Sequence, residues 1–73
     1  MELQANNTIK DILNKLKTKD VYILLRSGKE YTGSIKDVGE FCVVLAQTGS
    51  RSFYDSIIRI DDISAIEIRV REK

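Results

Sequence analysis

At 73 residues with a formal net charge of +1, the chain is one small domain without the overall positive charge that grips nucleic acid non-specifically. A single cysteine excludes an internal disulfide, and the absence of histidine leaves no zinc cluster to expect. A chain of this length buries only roughly 60% of its unfolded surface, so association with copies of itself is the remaining way to hide more.

Residues 1–6 read as a short polar arm, with Asn7 or Asn6 as the cap of a helix over about residues 7–18. Ile9, Ile12, Leu13 and Leu16 fall on one stripe of that helix, and Lys10, Lys15, Lys17 and Lys19 fall off it. Those lysines have two readings: a solvated face, or a basic rim for phosphates.

Val21 to Leu25 is continuously apolar, the pattern of a strand buried on both faces. Arg26-Ser27-Gly28-Lys29 is a tight turn in which glycine supplies a positive φ. In the second strand Tyr31, Gly33 and Ile35 alternate with Thr32, Ser34 and Lys36, and Gly33 marks a bend or a close backbone approach.

Lys36 to Glu40 reads as a polar loop and Phe41 to Ala46 as a third strand, again apolar on both faces. Gln47 to Ser50 turns the chain, and Arg51 to Ile60 is the fourth strand. After a turn at Asp61-Asp62, Ile66, Ile68 and Val70 alternate with Glu67, Arg69 and Arg71 in a fifth strand over Ile63 to Val70. Tyr22, Tyr31 and Tyr54 are expected to be half-buried strand residues. The expected fold is mainly β: an N-terminal α-helix followed by a five-stranded, strongly bent antiparallel β-barrel spanning about residues 20–70, with an edge strand open to another subunit.

Cys42, inside an apolar run, reads as a small hydrophobe in a reducing compartment. No stretch resembles a signal peptide or a membrane span, so the expected location is cytoplasmic and no membrane partner is expected. Asp61 and Asp62 raise the possibility of paired carboxylates, but adjacent residues at a turn point apart and turns favour such residues anyway. With no nucleophile–base pair, phosphate loop or metal cluster, the chain does not read as an enzyme, and no cofactor is implied.

Two stretches carry a family resemblance. Leu25 to Ile35 resembles the first Sm motif: leucine, two residues, glycine, four residues, glycine, one residue, aliphatic. Ile58 to Ile66 resembles the second, Ile-Arg-Gly-x-x-Ile-x-x-Ile, with Ile60 where the glycine belongs. Glu40 to Thr48 is closer to the bacterial branch of this Sm-like (LSm/Hfq) family.

The resemblance implies a small SH3-type barrel that closes into a ring by pairing the fourth strand of one subunit with the fifth of the next. Rings of five to seven subunits are open. It also implies binding of single-stranded RNA, often uridine-rich, near the pore, as an RNA chaperone or riboregulator. Bases would stack on an aromatic side chain while polar and basic groups meet edges and phosphates.

Carried onto this sequence, the implied RNA-binding set is Phe41, at the base-stacking position, and Arg59, at the motif arginine, with Gly39, Glu40 and Asp61 beside them. Gly39 replaces the usual loop aspartate, although Asp37 is close by. Val43 replaces a base-reading asparagine, and in the Hfq register a tyrosine-lysine-histidine run falls on Tyr54, Asp55 and Ser56.

Each site residue has a competing reading: core packing for Phe41, and for Arg59 an ion pair at a subunit contact, with Asp61 and Asp62 near in sequence. The alternative function is a Sm-like ring that has lost RNA binding and acts as a protein-interaction scaffold. A monomeric peptide-binding barrel is a third.

Overall fold

The structure, a computed structural model, describes residues 8–69. The expected polar arm, the caps at Asn6 or Asn7, and Val70 lie outside the described residues. Helix α1 (Ile9–Lys15) is followed by strands β1 (Asp20–Leu25), β2 (Glu30–Val38), β3 (Cys42–Gln47), β4 (Asp55–Arg59) and β5 (Ile63–Glu67). All five strands join in one antiparallel sheet of order β4-β3-β2-β1-β5.

Thr8 caps α1, its hydroxyl accepting the Asp11 N–H at 3.1 Å, and Leu16 closes the helix. The helix therefore starts later and ends earlier than the apolar period predicts. Its end is set by tertiary pairing: Thr18 donates to the Ile35 carbonyl at 2.9 Å and Ile35 donates to Lys19 at 3.2 Å, so the backbone is already committed to β2. The expected stripe holds, because Leu13 and Leu16 are buried and Ile9 and Ile12 pack against them.

The core lies between α1 and one face of the sheet, where Val21, Ile23, Ile35, Val43, Leu45, Ile58 and Ile63 meet the two helix leucines. Each such burial contributes roughly 1.5–3 kcal/mol before the entropy of ordering is counted. The expectation that β1 and β3 are buried on both faces is corrected. Their inward residues are buried, but Tyr22, Leu24, Cys42, Val44 and Ala46 on the other face are only half-buried, because no described element packs over them.

β2 runs on through the expected loop to Val38. The register with β3 shifts between Ile35 and Asp37, so Lys36 is the extra residue of a bulge, and Val38 rather than Asp37 turns to the core. A similar shift at Leu24/Leu25 in the β1–β5 ladder lets both Ile63 and Ile66 face inward.

Gly33 is required by close approach: a Cβ there would collide with the Ala46 carbonyl oxygen and come within 2.9 Å of the Ala46 carbonyl carbon and the Gln47 Cα, all backbone. Gly28 turns the β1–β2 hairpin at φ +93°, as expected.

β4 is shorter than the expected Arg51 to Ile60. Gly49–Arg51 forms a 3₁₀ turn, and Ser52 and Tyr54 donate to the Gly49 and Arg51 carbonyls at 3.1 and 2.9 Å, so this stretch bonds locally rather than as a strand. A second 3₁₀ turn, Ile60–Asp62, occupies the predicted Asp61-Asp62 turn. Among the described residues no helix is long and apolar enough to cross a membrane.

Candidate functional site

Two turns meet at one end of the β3–β4 hairpin. Gly39, Glu40 and Phe41 link β2 to β3, and Gly39 donates to the Cys42 carbonyl at 2.8 Å, which folds this link back on itself. Ile60 donates to the Phe41 carbonyl at 2.9 Å, and Cys42 stands opposite Arg59 in the ladder. The expected residues Gly39, Glu40, Phe41 and Arg59 are thus brought to one place by main-chain bonds, with Asp61 in the turn that follows.

Phe41 is fixed in backbone but not buried: its side chain is 75% exposed, which overturns the core-packing reading. Arg59 is exposed and makes no ion pair with Asp61, Asp62 or any other described residue. Both groups are exposed on adjoining segments, and a ring and a guanidinium are the kinds of group that meet a planar, anionic ligand. Asp61 and Asp62, both exposed, oppose that by adding two carboxylates to the turn that follows Arg59. Arg26 donates its main-chain N–H to the Asp62 carbonyl at 2.8 Å, so the β1–β2 turn brings a further exposed arginine to this turn.

Glu40 also makes an ion pair within the fold. Its carboxylate takes the Lys10 ammonium at 2.6 Å, tying α1 to the residue before Phe41. The hydrogen bond from Lys10, then its charge, hold the Glu40 carboxyl below the usual range, against a smaller opposing effect of desolvation. Lys17 lies 3.7 Å from Asp37, and Lys36 lies 2.7 Å from Asp55. Three lysines are therefore already paired with carboxylates, which weakens the basic-rim reading for Lys10 and Lys17.

The positions that depart from the family pattern are also occupied. Val43 is fully buried and cannot reach a base, and Ser56 Oγ accepts from Gln47 Nε2. Across the sheet a concavity of about 340 Å³ is lined by Asp20, Val21, Tyr22, Thr32, Glu67, Ile68 and Arg69. Tyr22 at its wall has its phenol pKa raised by desolvation, then by a hydrogen bond to Glu30 and the charges of Glu30 and Glu67. Its acidic lining makes it a poor seat for a phosphate.

Sequence reasoning missed a second group. The exposed large apolar side chains are Phe41, Phe53, Tyr54 and Ile57, all on or next to the β3–β4 hairpin. Phe53 is 96% exposed and Tyr54 54%, so Tyr54 is a loop residue and not the half-buried strand tyrosine expected; Tyr22 and Tyr31 are half-buried. The available signal was Ser52, which extends the turn composition begun at Gly49 and argues against a strand starting at Arg51.

No family model and no curated protein sequence matches this chain.

Proposed function

We propose that the protein is a Sm-like ring-forming protein that binds single-stranded RNA near the pore, with Phe41 stacking on a base and Arg59 meeting the adjacent phosphate. The observation that carries this reading is the 75% exposure of Phe41, held by the Ile60–Phe41 main-chain bond, with exposed Arg59 the preceding residue of β4 and in no ion pair with a described residue. A stacking platform requires both rigidity and exposure, and Phe41 has a pinned backbone and an exposed side chain. The role of an RNA chaperone or riboregulator in the cytoplasm follows from the same reading.

Barrel closure and the ring rest on the sheet edges. β4 and β5 are the two end strands of the sheet, and these are the strands a Sm-like ring joins between subunits. Gln47 donates to Tyr54 and Ile60 to Phe41, so by the alternation of an antiparallel ladder the main-chain groups of Asp55, Ile57 and Arg59 point away from β3. An edge that no described strand pairs, bearing Ile57 at 75% exposure, invites a strand from another copy. The bulge at Lys36 and the close approach at Gly33 support a sheet bent far enough to curl. Five to seven subunits fit this reading.

The scaffold alternative is favoured by the buried Val43 and by the Lys10, Lys17 and Lys36 ion pairs, which leave few cations for phosphates. Native mass spectrometry with a short uridine-rich or adenine-rich RNA separates the two. A closed ring that takes up RNA at a fixed ratio supports RNA binding, a ring that ignores both RNAs supports the scaffold, and a monomer overturns the assembly.

A further inference from the structure

The β3–β4 hairpin carries a second combination of arginine and exposed aromatic rings, at the end opposite Phe41. The Arg51 guanidinium lies 4.2 Å from the centroid of the Tyr54 ring. Tyr54 is fixed by its main chain, which accepts from Gln47 at 3.0 Å and donates to Arg51 at 2.9 Å. Phe53 between them is 96% exposed and belongs to no cluster of the core.

The charge of this loop has one sign. Residues 47–54 contain Arg51 and no carboxylate, and the next acid, Asp55, is already held by Lys36 at 2.7 Å. The Phe41 turn, by contrast, carries Asp61 and Asp62 beside its arginine.

We propose that Arg51, Phe53 and Tyr54 form a second contact for the same single-stranded RNA, with bases stacking on Phe53 and on the open face of Tyr54 and a phosphate meeting Arg51. This rests on the RNA-binding reading of the Phe41 turn. A protein partner would be served by the same rings, but it would not need a loop free of carboxylates; a polyanion does. The two contacts are separated by the six residues of β3, about 20 Å at ~3.3 Å per residue. A strand long enough to reach both gains from the second as an intramolecular event.

Ultraviolet crosslinking of the whole protein to uridine-rich RNAs of about four and about twelve nucleotides, followed by trypsin and mass spectrometry, tests this. Trypsin cuts after Lys36, Arg51 and Arg59, so Phe41 falls on the peptide 37–51 and Phe53 and Tyr54 on the peptide 52–59. The longer RNA is expected to mark both peptides, and Phe53→Ala to weaken its binding roughly tenfold while leaving the mark on 37–51. Marking of 37–51 alone, with Phe53→Ala binding like wild type, overturns the second contact and leaves the first standing. No binding by wild type overturns both. A Phe53→Ala protein with altered subunit number and unchanged RNA affinity assigns the loop to a protein contact and overturns the proposal.

Discussion

The two faces of the β3–β4 hairpin differ more than their sequences do. Inward, Val43, Leu45 and Ile58 are buried in the core cluster that also holds residues of α1 and β1; outward, Val44 and Ala46 are half-buried, and Ile57, paired with Val44 across the ladder, is 75% exposed. Alternation alone places both sets, but only one finds its partner among the described residues. The apolar residues left over at Phe41, Phe53, Tyr54 and Ile57 are where this small domain has surface to offer something else.

The sharpest way to break that comparison is to truncate one residue from each face. Leu45→Ala should cost about 2–5 kcal/mol, a large share of what so small a core supplies. Ile57→Ala should change the stability of the monomer by less than about 0.5 kcal/mol. Urea unfolding at a concentration where the protein is monomeric reads both, and equal losses would mean that another part of the same chain covers the outer face. Gly33→Ala comes next: its Cβ meets main-chain atoms of Ala46 and Gln47 that cannot rotate away, so about 1–3 kcal/mol should be lost, seen as a lower thermal midpoint.

The exposed residues should respond in the opposite way. Phe41→Ala is expected to leave the unfolding midpoint unchanged and to weaken RNA binding by about 1–3 kcal/mol, measured by fluorescence anisotropy at fixed salt. Unchanged affinity would remove Phe41 from the site. Ile57→Lys should leave the monomer folded and raise its fraction at a given concentration, because a charge replaces an apolar side chain on the open edge of β4. Light scattering with size exclusion reads this, and an unaltered subunit number would place the subunit contact elsewhere.

Much of the fold was legible because the chain repeats its signals at the right period. The stripe Ile9, Ile12, Leu13, Leu16 and the alternation of Tyr31, Gly33 and Ile35 name the inward face without any structure. What was not legible depends on contacts between distant segments. Ile35 binds the chain at Thr18 and Lys19 and cuts the helix short, and the bulge at Lys36 carries β2 into what reads as a loop.

The candidate site was half legible. Phe41 and Arg59 could be named from motif positions, but whether each was exposed or spent required their surroundings. Arg51, Phe53 and Tyr54 were hidden because aromatic residues next to an apolar run look like strand, and local turn bonding overrides that preference.

The smallest expected effect asks whether α1 positions the Phe41 turn. Lys10 in the helix holds Glu40 at 2.6 Å, and both side chains are substantially exposed, so little stability depends on the pair. The titration is more sensitive. Because Lys10 favours the charged carboxylate, the folded chain holds Glu40 ionised below the ordinary value of about 4.5, where the unfolded chain begins to protonate it. The stabilising contribution is therefore complete above that value and is lost as pH falls through the lowered folded value. Carbon-13 NMR of the Glu40 side chain should show a depressed midpoint in wild type that returns to the ordinary range in Lys10→Met. Equal midpoints would mean that the bridge does not persist in solution and that Phe41 is held by its main-chain bond to Ile60 alone.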